Sequence, residues 1–136
     1  MRRKASLALR VFIGLVLLAT AVGKLLDVPG FASVLATYDA FPDGLLLPLA
    51  AAVPLAELGL AIWLFSGRRT PGAAAASAAM HLAYAAWSAA AILRGLKLAN
   101  CGCFGVFLAR PLGWRTVAED LVMTGLSVAL VALARR

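Results

Sequence analysis

Charge and sulfur are both scarce in this chain. Only 14% of its 136 residues are charged while 63% are hydrophobic, a balance that excludes an ordinary soluble globular domain. Two cysteines are too few for a disulfide framework, and neither a Cys-x-x-Cys pair nor a Cys/His zinc spacing occurs. One pair also excludes passing electrons internally from one disulfide to a second. Acidic residues number 6 against 13 Lys and Arg, for a net charge of +7. The basic residues cluster at the ends of apolar stretches rather than along one polar face, which excludes a nucleic-acid surface and marks membrane topology instead.

What the chain does have is four long apolar runs, at about 7–26, 45–65, 72–93 and 116–134. Each is close to the roughly 20 residues that cross a bilayer core. The expected fold is all-α, a single integral membrane four-helix bundle over 1–136 with both termini inside. The first run resembles a signal peptide at Ala19-Thr20-Ala21, but Arg10 and Lys24 can snorkel to opposite interfaces, which favours a retained helix. Residues 27–43 read as a loop with a short helical piece at 31–38. Pro48 and Pro54 predict a kink or an irregular first half in the second span. The third span holds twelve alanines, small enough for close helix packing where lipid gives no hydrophobic drive. Glu119 and Asp120 are expected in the first turn of the fourth helix, facing its dipole.

With the N-terminus inside, the inner segments carry Arg2, Arg3, Lys4, Arg10, Arg68, Arg69, Arg135 and Arg136. The outer segments carry Lys24, Arg94, Lys97, Arg110 and Arg115. The bias favours an inner-membrane, multi-pass protein whose loop 94–115 faces the oxidising, extracytoplasmic side.

That loop contains Asn100-Cys101-Gly102-Cys103-Phe104-Gly105, where both cysteines lie. Glycine between and after them lets the backbone fold tightly enough for the two thiols to meet. The small ring suits thiol-disulfide exchange. A static disulfide or a soft-metal site are the alternatives, although two sulfurs are an incomplete metal shell and His81 is expected too deep to complete it. Counting from the basic turn at 67–72, Glu57 and His81 each lie about nine residues from their inner helix ends, roughly 14 Å. They are expected as an intramembrane polar pair. Lys24, Arg94 and Asp120 are expected near the outer surface beside the cysteine loop, with Lys24 pairing to Asp120. Phe104 and Trp114 would shield the cysteines or offer an apolar face to a quinone ring.

The cysteine motif, preceded by Arg94-Gly95 and followed by Pro111-Leu112, Trp114 and Asp120, resembles the MauE branch of the DoxX-like membrane proteins. Supporting positions are Arg10, Gly14, Gly23-Lys24-Leu25, Tyr38, Pro42, Pro54, Glu57 and Gly67. The resemblance implies a four-helix membrane bundle with a role in redox maturation of exported proteins, working with a thioredoxin-like partner on a thiol client. Arg94, Cys101, Cys103, Lys24 and Glu57 match the family pattern; His81 does not. The expected activity is thiol-disulfide oxidoreduction through Cys101 and Cys103, with a thioredoxin-like protein or a quinone as the second redox partner. A non-catalytic scaffold recruiting a thioredoxin-like protein and a metal-handling protein are the competing expectations.

Overall fold

A computed structural model describes residues 1–135; Arg136, counted above among the inner basic residues, lies outside the described residues. Five helices follow in order: α1 (Arg2–Leu25), α2 (Val28–Ala36), α3 (Asp43–Ser66), α4 (Thr70–Leu93) and α5 (Trp114–Ala134). Four of them, α1, α3, α4 and α5, are long and apolar enough to cross a membrane. The expected all-α bundle is the observed one.

Packing sorts the four spans into two antiparallel pairs, α1 with α3 and α4 with α5, while α3 meets α4 more loosely. The α4 face toward the interior is a stripe of Ala73, Ala74, Ser77, His81, Ala85, Ser88 and Ala91. Those steps of three and four residues bring one helical face together, and its small side chains let the backbones approach. Ile13, Leu17, Leu60, Ala61, Leu64 and Leu130 complete an apolar core toward the end of the bundle that carries the termini. Of the kink or irregular first half expected from Pro48 and Pro54, the irregular half is not what is observed: α3 is helical throughout Asp43–Ser66. Pro54 is fully buried, packed among neighbours rather than opening the helix.

The short helix expected within residues 27–43 is α2. Asp27 caps it by accepting a hydrogen bond from Gly30 N at 2.9 Å, and Pro29 stands in its first turn, both standard helix-start chemistry. The α5 helix begins at Trp114, two residues before the expected boundary, so Glu119 and Asp120 fall in its second turn and not its first.

The register of α1 on α3 decides where the site lies. Gly14 faces the Phe65 ring, and Thr20 donates to Glu57. From that level α1 continues only five residues to Leu25, whereas α3 extends fourteen further to Asp43, about 21 Å. The room above the end of α1 is filled by α2 and by the loop between α4 and α5.

Candidate functional site

That loop is folded by its own backbone. Leu112 N donates to Leu98 O at 2.9 Å and Cys101 N to Arg110 O at 2.7 Å, pairing its two limbs. Between them, Asn100 clamps the turn at both sides: its Oδ1 accepts from Gly102 N at 2.9 Å and its Nδ2 donates to Gly105 O at 3.1 Å. Gly102 and Gly105 take φ of 83° and 75°, the left-handed region that glycine enters without steric cost. The turn then sinks onto α1. A Cβ at Gly23 would strike Phe104 O, and one at Gly105 would strike Gly23 O, so the two backbones touch only because both residues lack side chains.

Cys101 and Cys103 form a disulfide with Cα atoms 5.6 Å apart. Cys101 is 7% exposed and Cys103 is half-buried. Cys103 N donates to Cys101 Sγ at 3.4 Å. From α2's side, the Tyr38 hydroxyl donates to Cys101 O at 2.5 Å. Tyr38 is held in turn by Arg94, which donates to Tyr38 O at 2.9 Å and to Asp39 O at 3.1 Å. Burial pushes the Tyr38 hydroxyl up to about 12, with the negative charge of Asp120 adding to the effect.

Below the disulfide lies a cavity of about 700 Å³ whose wall includes Cys101, Cys103 and Phe104. Its depth holds the polar residues of the membrane interior. Lys24 Nζ contacts Glu57 Oε1 at 2.5 Å, with the two side chains 5% and 0% exposed. The Tyr84 hydroxyl donates to the same oxygen at 2.6 Å and Thr20 to the other at 3.2 Å. The Lys24 ammonium also stands 5.6 Å from the Phe31 ring centroid and 5.3 Å from that of Tyr84. Phe31 in turn packs where a side chain on Gly102 would be, so a single aromatic layer separates the ammonium from the cysteine turn.

These positions correct the expected polar pairings. Lys24 is not an outer-surface residue beside Asp120; it is buried and paired with Glu57. Glu57 does not pair with His81, whose Nδ1 lies 2.9 Å from Ser77 O and 3.3 Å from Ser77 Oγ. Asp120 does line the cavity, with no hydrogen bond to its carboxylate among the described residues. Arg94 acts on the α2–α3 connection and through Tyr38 on the cysteine backbone. Trp114 is 57% exposed and takes no part in the cavity wall, which suits an interfacial anchor. Tyr84, Thr20 and Phe31 were not singled out from sequence. Thr20 and Lys24 stand one turn apart on α1, and His81 and Tyr84 on α4, so helical spacing carried that signal.

The fold and site together define a four-span membrane protein with one Cys-Gly-Cys disulfide set over an internal cavity. The family model described as methylamine utilisation protein MauE matches residues 2–134, and the chain belongs to that family. Among curated relatives, the methylamine utilization protein MauE of Paracoccus denitrificans is 36% identical over 123 residues, 90% of this chain and 66% of the relative. That of Methylophilus methylotrophus is 32% identical over 128 residues, covering 90% and 65%. That of Paracoccus versutus is 30% identical over 126 residues, covering 93% and 68%. The chain thus spans about two thirds of the length of the curated relatives it matches. No solved structure matches it.

Proposed function

We propose that the chain is a thiol-disulfide redox protein of the inner membrane, acting in the oxidative maturation of exported proteins through an exchangeable Cys101–Cys103 bond on the extracytoplasmic side. The relatives' names, given for methylamine utilization, support a role in that process. The observation that carries the reading is a loop held by several contacts besides its disulfide. Asn100, Tyr38 and two backbone pairs already hold it, and a bond closing so small a ring adds only about 1–2 kcal/mol of chain-entropy stabilisation. A bond with so little structural work is free to open and close.

The unequal burial of the two sulfurs supports giving them different parts. Cys103 is the more accessible, so an incoming thiolate attacks its sulfur and Cys101 leaves as thiolate. The N–H of Cys103 directed at Cys101 Sγ stabilises that departing charge, and a better-stabilised leaving group departs faster. A thioredoxin-like protein supplies or accepts the exchanged thiols.

The test is the midpoint of the couple, read by thiol trapping of the full chain in nanodiscs across a graded glutathione series. A midpoint in the range of exchange proteins, roughly −120 to −270 mV, is expected. A bond that stays closed below about −300 mV overturns the reading in favour of a scaffold that recruits a thioredoxin-like protein.

A further inference from the structure

The cavity is larger than exchange between protein thiols requires. Its volume of about 700 Å³ lies in the range of small-molecule sites, about 300–1,000 Å³. One wall carries Trp87 stacked on Phe41 with centroids 5.1 Å apart. Another reaches Phe12 and Val122, which are 49% and 61% exposed on the lipid-facing sides of α1 and α5. A lipid-soluble molecule therefore has a lateral way in, and the disulfide forms part of the wall it would meet.

The polar groups at the bottom narrow the chemistry. Because His81 Nδ1 meets the carbonyl of Ser77 at 2.9 Å, Nδ1 carries the proton and Nε2 is left as an acceptor. Among the described residues no group bonds Nε2, which is not fully enclosed, and His81 lines the cavity. The Asp120 carboxylate is likewise without a hydrogen bond among the described residues. Lys24 has three N–H bonds, of which the ion pair with Glu57 occupies one. An acyl chain gives these groups nothing. A flat ring bearing two oxygens, which accept hydrogen bonds as carbonyls and donate them as hydroxyls, answers both the spare donors and the spare acceptors.

We propose that the cavity binds a membrane quinone and that Cys101 and Cys103 reduce it. The step rests on the thiol-exchange reading above. The two thiols lose two electrons and two protons as their S–S bond forms, and the quinone gains both to become quinol. The protons pass to the ring oxygens, with His81 and Asp120 placed to accept hydrogen bonds from the new hydroxyls. Exported thiols are then oxidised at Cys103, and the electrons leave through the lipid phase.

The test uses the full chain in nanodiscs with decylubiquinone as probe. Trp63 and Trp114 lie outside the cavity wall, so a Trp63→Phe/Trp114→Phe background leaves Trp87 as the reporter. Saturable, one-to-one quenching of its fluorescence that excess oleate does not reverse is expected. In the second arm, dithiothreitol-reduced and desalted protein is mixed anaerobically with decylubiquinone, and one quinone should be consumed per disulfide formed. Ala118→Phe, a bulky change on the exposed rim of the cavity, should weaken quenching at least ten-fold; Val122→Phe repeats the test if that variant does not fold. Quenching reversed by oleate identifies a lipid-chain site and overturns the proposal. Absent quenching alongside a disulfide that still equilibrates with glutathione overturns the quinone site and leaves thiol exchange standing. Quinone binding with a disulfide that never opens overturns the redox step together with the reading beneath it.

Discussion

Replacing Glu57 by Gln isolates what the buried ion pair contributes. In the parent, the carboxylate is wholly buried and takes the Lys24 ammonium at 2.5 Å, the Tyr84 hydroxyl at 2.6 Å and the Thr20 hydroxyl at 3.2 Å. The amide of Gln keeps one acceptor oxygen, sets an N–H₂ group against donors, and leaves the ammonium buried without a counter-charge. Breaking a buried pair by removing one partner costs about 3–5 kcal/mol. Losing a hydrogen bond to a charged acceptor costs about 1.5–3 kcal/mol on its own, but groups sharing one centre are not additive, so Glu57→Gln should destabilise the bundle by about 3–5 kcal/mol. The double variant Lys24→Met/Glu57→Leu removes both charges together and should recover most of that loss, retaining a deficit of about 1–3 kcal/mol for the stranded Tyr84 hydroxyl. Reversible unfolding in mixed micelles of the parent, Lys24→Met, Glu57→Leu and the double variant, followed by tryptophan fluorescence and helical circular dichroism, supplies the four corners of the cycle, with Glu57→Gln measured beside them. A Glu57→Gln loss under about 1 kcal/mol, or a double variant no more stable than the singles, would refute the claim that these charges hold each other.

Cys101→Ser should accumulate a mixed disulfide through Cys103 with a small-thiol donor or a thioredoxin-like protein, and Cys103→Ser should accumulate markedly less; equal trapping contradicts the assignment of Cys103 as the attacked sulfur. Gly23→Ala places a methyl against Phe104 O and should lift the cysteine turn off α1, increasing disulfide reduction by glutathione several-fold with little change in helix content; an unchanged reduction rate shows that the contact does not seat the loop. Burial holds the Tyr38 hydroxyl at about 12 against about 10 for a free tyrosine. Because the folded value is the higher one, its contribution is fully present below about pH 10 and is lost as pH rises toward 12. Ultraviolet difference spectra of the parent minus the Tyr38→Phe variant should therefore show Tyr38 ionising well above a free tyrosine, and titration near 10 would show that the hydroxyl is not buried against Cys101 O.

The amino-acid sequence by itself determined the four spans, because about 20 apolar residues bounded by basic turns have few alternatives to a membrane helix. It also located α2, through Asp27 and Pro29, and marked the one loop able to bring two thiols together. Depth along a helix was legible too: counting from the turn at 67–72 puts Glu57 and His81 well inside their spans, and both side chains are buried in the bundle. What the count could not give was azimuth. Whether Glu57 turns to α4's histidine or to α1's lysine depends on how the helices rotate and slide when their surfaces pack. Lys24 looked like an outer-surface residue because it ends its helix, and only the register of Gly14 on Phe65 and Thr20 on Glu57 shows that α1 stops far below the end of α3. The tertiary structure alone decided the cavity, since a void bounded by a loop, a short helix and four spans is set by the positions of all of them together. Local sequence specifies each wall, and the space between the walls is fixed only when they pack.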